Sequence, residues 1–238
     1  MRRAIIREYD KLAENLSNYV AVMNYRFMNL CVKAEPVSLL PITVMIDGES
    51  QKLEECVQLG KDGDYMFALF PKYEEDMGSI MRGVALAHPE FKQEIKQMSV
   101  TVPEENGRER EQEVDYLQVT MPEVDDERYD VLKEGVKLVY DECKAQMEVA
   151  NNKAKVKFTE LSVIETKENL ELLDNELDKL NNQWNAQRDR LRDIKLEEIN
   201  SAYNKWLGAQ AQKEIAMMEE EDARGTDAVN STKMGEHE

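Results

Sequence analysis

The 238-residue chain is 34% charged and 42% hydrophobic, with only 10 Gly and 6 Pro, a balance that favours long exposed helices over compact β structure. It contains no run of about 18 apolar residues, so no spanning helix and no membrane partner are expected, and the acids Glu8, Asp10 and Glu14 soon after Met1-Arg2-Arg3 speak against a targeting peptide and for a cytoplasmic protein. The net charge of −18 is uneven: residues 1–33 carry +3 and residues 34–124 carry −11, so any contact with a polyanion is expected from the helices and not from the middle of the chain.

Residues 2–33 read as one helix. Tyr9, Leu12, Leu16, Tyr19, Met23, Phe27 and Leu30 recur every three or four residues, as the seam of a helical bundle requires. Glu35-Pro36 stops it, because proline disfavours helical geometry in the residue before it.

The chain then changes character. Ile42 to Ile46 is short and β-branched, with Asp47-Gly48 as a turn; Asp62-Gly63-Asp64 is a second turn, leading into Tyr65 to Phe70. Both apolar runs predict strands. Met77, Ile80, Met81, Val84 and Ala85 mark a short amphipathic helix ending at His88-Pro89. Two more strands are expected, from Ile95 to Val102 and from Tyr116 to Met121. The charged segment Glu104 to Glu113 is expected as a hairpin loop or mobile insertion.

Pro122 closes this α/β insert, and Asp125 or Asp126 can cap the next helix. Its stripe is Tyr129, Leu132, Val136, Val139, Cys143, Met147 and Ala150. A last helix starts near Thr166, with Leu170, Leu173, Leu177, Leu180, Trp184, Leu191 and Ile194 on its stripe and Gln187 filling the gap. After a phase shift it continues through Ile199, Tyr203 and Trp206 towards Met218. The predicted fold is α+β: a three-helix bundle of residues 1–35 and 124–218, on the order of 50–60 Å long. A small α/β domain, residues 36–123, is inserted between its first and second long helices. Two crossings, Lys33 to Leu40 and Met121 to Asp125, form a mobile hinge, and residues 219–238 are expected as a disordered acidic tail.

Catalysis is not expected. The histidines are His88 and His237, far apart in sequence, which argues against a histidine triad or metal site. There is no phosphate-binding glycine loop, and Asp62-Gly63-Asp64 lacks the later acids of a calcium loop. Cys31, Cys56 and Cys143 are odd in number and widely spaced, the pattern of reduced, buried thiols. No cofactor and no metal are expected.

The order helix, α/β insert, helix, helix resembles ribosome recycling factor, and local sequence follows it. Val32-Lys33-Ala34-Glu35-Pro36 stands where that family turns out of its first helix. Gln51-Lys52-Leu53, Asp62 to Phe70 and Met121-Pro122-Glu123-Val124-Asp125-Asp126-Glu127-Arg128 resemble later family segments. The resemblance implies a non-enzymatic monomer that binds large-subunit ribosomal RNA and works with elongation factor G. Two family arginine motifs are replaced, by Leu30-Cys31-Val32-Lys33 and by Glu148-Val149-Ala150-Asn151-Asn152, so only Lys33 keeps a base there.

Other bases offer themselves for RNA contact: Arg2, Arg3, Arg7, Lys153, Lys155 and Lys157, expected together at the bundle tip far from the hinge, and Arg188, Arg190 and Arg192 on the last helix. A helical protein-interaction adaptor that kept the fold without RNA binding is the alternative.

Overall fold

A computed structural model describes residues 2–39, 41–103 and 109–233. Three long helices, α1 (Arg3–Met28), α4 (Asp126–Ser162) and α5 (Lys167–Lys233), form the bundle. The insert contains β1 (Thr43–Ile46), β2 (Glu49–Lys52), α2 (Leu53–Cys56), β3 (Val57–Lys61), β4 (Met66–Pro71), α3 (Met77–Ala87), β5 (Lys92–Pro103) and β6 (Glu109–Thr120).

α1 ends sooner than the proline suggests. Asn29 N–H donates to the Arg26 carbonyl and Leu30 N–H to the Phe27 carbonyl, and the chain then leaves the helix as a linker. Packing decides this end: Val32 is buried in the bundle core, whereas Cys31 and Ala34 are buried in the core of the insert. A continuing helix would not deliver neighbouring residues to two cores.

α1 and α4 are antiparallel: Arg26 pairs with Glu142, Gly135 meets Leu30, and Arg2 reaches the end of α4. Their facing stripes bury Leu12, Leu16, Met23 and Phe27 against Leu132, Val136, Val139 and Cys143. Asp125 caps α4 by accepting a hydrogen bond from Arg128 N–H at 2.9 Å. At a rise of about 1.5 Å per residue, α4 alone is about 55 Å long.

In the insert, Asp47 and Gly48 both have positive φ, 52° and 82°. This is the left-handed pair that a two-residue hairpin turn needs, and it joins β1 to β2. A separate antiparallel sheet runs β3-β4-β6-β5. Phe67, Leu69, Leu117 and Val119 point from it into one core with Ile80 and Val84 of α3.

Several local expectations are corrected. β2, β3 and α2 were not anticipated, because Glu49-Ser50-Gln51-Lys52 carries no apolar alternation and pairs only as the return arm of its hairpin. β6 starts at Glu109, so the charged stretch to Glu113 is strand, paired residue by residue with β5; residues 104–108 lie outside the described residues. α5 is helical to Lys233, past the expected end at Met218: the added segment opens on Glu219-Glu220-Glu221 and lacks proline. The rest of the expected disordered tail, residues 234–238, lies outside the described residues.

Candidate nucleic-acid interface

At the tip far from the insert, the start of α1 lies beside the turn between α4 and α5. Arg2 donates to Glu165 Oε1 through its Nε at 2.9 Å and its backbone N–H at 3.1 Å, and also to the Leu161 carbonyl. Burial acts to raise the Glu165 carboxyl, but hydrogen bonds from Arg2 and Asn169 outweigh it and hold the group below the usual range. Arg2 therefore ties the tip together instead of standing free. Arg3 and Arg7 are exposed one turn apart on α1.

Lys153, Lys155 and Lys157 are all exposed, yet they do not form one patch. Alternate residues of a helix lie on opposite sides. Lys153 borders the α1–α4 groove with Glu8, Lys11 and Tyr19. Lys155 borders the α4–α5 groove, a space of about 790 Å³ that also holds Asp174 and Asp178. Lys157 donates to Glu160 at 2.7 Å, and this bond, with the charges of Glu160 and Glu8, holds its ammonium above the ordinary lysine value. The α5 flank of the tip exposes Glu168, Glu171, Asp174 and Asp178. The α1–α4 flank of the tip thus carries Arg3, Arg7, Lys11, Lys153 and Lys157, with Glu8 and Glu160 among them, whereas acids outnumber Lys167 and Lys179 on the α5 flank.

The expected arginine cluster on α5 is divided. Arg188 is 7% exposed; it donates to Asp189 at 2.8 and 3.0 Å and to Asn185 at 3.0 Å. Its guanidinium and that of Arg192 lie 4.9 and 4.7 Å from the ring centre of Tyr140 on α4. The Tyr140 hydroxyl donates to Asp189 at 2.7 Å. Burial acts to raise Asp189, but the hydrogen bonds from Tyr140 and Arg188 and the nearby arginine charges hold it down. Arg188 is a packing residue joining α4 to α5, a correction to its expected place among the RNA contacts. Arg192 is committed to Tyr140 and to Asp193, whose Oδ1 accepts from its Nε at 2.8 Å. Arg190 alone of the three is exposed. Near the hinge, Lys33 pairs with Glu35 at 2.8 Å, and that bond raises its ammonium.

The junction holds a group of residues that spacing along the chain concealed. Cys31 Sγ lies 3.9 Å from His88 Nε2, and His88 Nδ1 lies 3.3 Å from Glu90 Oε1. Arg128 Nη2 donates to the Cys31 carbonyl at 2.8 Å. Burial pushes the Cys31 thiol up, which disfavours the nucleophilic thiolate. The arrangement ties the residue after α3 to the linker after α1, and that linker to the start of α4. The one available signal was His88 itself, at the end of an apolar helix. The three cysteines are free and buried. Among the described residues no group of three metal-capable side chains gathers, and no helix is long and apolar enough to cross a membrane.

No protein-family model matches the chain, and no curated protein matches it. Solved structures do. A solution structure of ribosome recycling factor superposes with a TM-score of 0.65 at 15% identity, covering 84% of this chain and 100% of that one. A second match is to a chain from a structure of T. thermophilus ribosome recycling factor and E. coli elongation factor G bound to the E. coli post-termination complex. Its TM-score is 0.51 at 14% identity, covering 82% of this chain and 98% of that one. The likeness runs through bundle and insert together, and the chain therefore has the fold of ribosome recycling factor.

Proposed function

We propose that this protein is a non-enzymatic, monomeric ribosome-binding factor of the recycling type. Its bundle grips RNA of the large subunit, and its insert is the part on which elongation factor G acts. The observation that carries this reading is the match over the whole length of a recycling factor, with both domains in the same order. A recycling factor with that fold is bound alongside elongation factor G on a post-termination complex.

The charge distribution refines which face binds. Phosphate repels the acidic α5 flank and the insert, so contact falls to Arg3, Arg7, Lys11, Lys153 and Lys157 on the α1–α4 flank. The insert's charge is tens of ångströms away, and the Debye length is about 8 Å at physiological ionic strength, so it does not cancel this attraction. Sedimentation with purified large subunits at two salt concentrations tests the reading. Binding at about 50 mM salt that falls steeply by about 200 mM is expected, because each phosphate contact releases counterions. A second reading, a protein adaptor with no RNA role, is favoured by the loss of bases at Leu30 to Val32 and at Glu148 to Asn152. It predicts no sedimentation with subunits at either salt.

A further inference from the structure

β5 and β6 are far longer than the sheet that holds them. β4 pairs with β6 only from Leu117 to Thr120, whereas β5 and β6 stay paired out to Pro103 and Glu109. β4 ends at Pro71, with Phe70 beside Tyr116; beyond that the hairpin is a two-stranded arm with no strand paired to either edge among the described residues. An isolated two-stranded hairpin is marginal in water unless a face or an edge is covered.

The register sorts the arm into two unlike faces. Met98 pairs with Val114 and Val100 with Gln112, and Tyr116, from the same face, stacks on Phe70 of β4 with ring centres 5.2 Å apart. Met98, Val100, Val114 and Tyr116 make the middle of this face apolar, with Lys96 and Gln112 beside them, and Met98 is 41% exposed. On the opposite face Asp115, Glu113 and Glu111 stand opposite Gln97, Ser99 and Thr101. Three carboxylates thus follow one another about 7 Å apart, with neutral residues across the ladder.

We propose that the free edge of β6, from Glu111 to Val114, accepts an added strand from a protein partner whose sequence alternates basic and apolar residues. In an added strand, alternate side chains fall on opposite faces. The basic set would lie beside Glu111, Glu113 and Asp115, and the apolar set would extend the face of Val114 and Tyr116. The charge row selects this occupant. Nucleic acid is repelled by the carboxylates. A second copy joined through the same edge would set two acidic rows against each other. The inference is independent of the ribosomal reading, since it uses neither the bundle nor its bases.

The test uses the full chain and a blocked, labelled peptide of alternating lysine and valine, long enough to lie along β6. Fluorescence anisotropy should show binding. The variant E111K/E113K/D115K should bind about tenfold more weakly or worse. A control with equal charge change on the bundle, E168K/E171K/D174K, should bind as the parent does. Backbone amides of β6 should gain hydrogen-exchange protection on peptide binding. Equal weakening in both variants would mean attraction to net charge alone and would overturn the proposal. So would equal binding of an alternating glutamate–valine peptide, or arm amides already protected in a dimer of the free protein. Circular dichroism checks that the arm variant is folded.

Discussion

Lys205 of α5 forms an ion pair with Asp64 in the turn between β3 and β4, so the last helix of the bundle is fastened to the insert. Both chain crossings meet the same turn. Ala34 N–H donates to the Asp64 carbonyl at 2.6 Å, and Met121 N–H donates to the Tyr65 carbonyl at 2.7 Å. Rotation about the hinge must therefore carry this turn with it and stretch the contact to Lys205.

The pair should set the range of domain angles without setting stability, because both side chains are more than half exposed. Asp64→Asn or Lys205→Met should broaden the distribution of interdomain angles seen by small-angle scattering, with little change in melting temperature. An unchanged scattering profile in both variants would contradict the latch.

The same pair has a pH dependence whose sign follows from its two shifts. The hydrogen bond from Lys205 and its charge hold Asp64 below the usual carboxylate range, and Asp64 likewise raises Lys205. For Asp64 the contribution is present above its unfolded value and is lost as pH falls through the depressed folded value. For Lys205 it is present below its unfolded value and is lost as pH rises through the raised folded value. The interdomain angle should be constant through the neutral range and loosen only in acid or strong alkali. A change in angle near neutrality would point to a different group.

Arg188→Ala should destabilise the bundle by about 1–3 kcal/mol in urea unfolding, since the substitution strips the buried contacts to Asp189, Asn185 and Tyr140. It should leave large-subunit binding unchanged. Loss of subunit binding in a folded Arg188→Ala protein would return this residue to the RNA interface.

At Gly83 of α3, an added Cβ would lie 2.9 Å from the Thr43 carbonyl oxygen and 3.0 Å from a Val44 methyl. Gly83→Ala must push the helix off β1, at a cost of about 1–3 kcal/mol. Hydrogen exchange should show the loss in the insert, while amides of α1 and α4 keep their protection.

The bundle was largely legible in the sequence because one stripe of apolar residues decides each helix. Leu132, Val136, Val139, Cys143, Met147 and Ala150 are all buried as that stripe requires. On α5, Leu191, Ile199 and Tyr203 pack into the core as expected, and one placement fails. Ile194, placed on the seam, is 51% exposed, while Arg188 and Lys195 are buried at 7% and 8%. Long cationic side chains bury their stems beneath a charged head, so a hydrophobic pattern passes over them. The drift of a helix of 3.6 residues per turn against a 3.5 spacing adds to the error.

The basic tip was legible only as composition. Counting bases along α4 cannot show that Lys153 and Lys155 face opposite flanks, nor that Glu165 and Glu160 engage Arg2 and Lys157. Those are facts of helix phase and of how the α4–α5 turn returns. The latch was equally hidden. Asp62-Gly63-Asp64 reads as a turn, but its contact with Lys205 joins residues brought close only by the fold.

Sedimentation with large subunits decides whether the α1–α4 flank of the bundle grips ribosomal RNA. Purified large subunits are sedimented with the parent protein, with R3E/R7E/K153E/K157E, and with K155E, at low salt. The parent and K155E should pellet with the subunits, and the fourfold variant should remain in the supernatant. If the folded fourfold variant pellets as well as the parent, or if the parent fails to pellet at low salt, the RNA-binding account is contradicted.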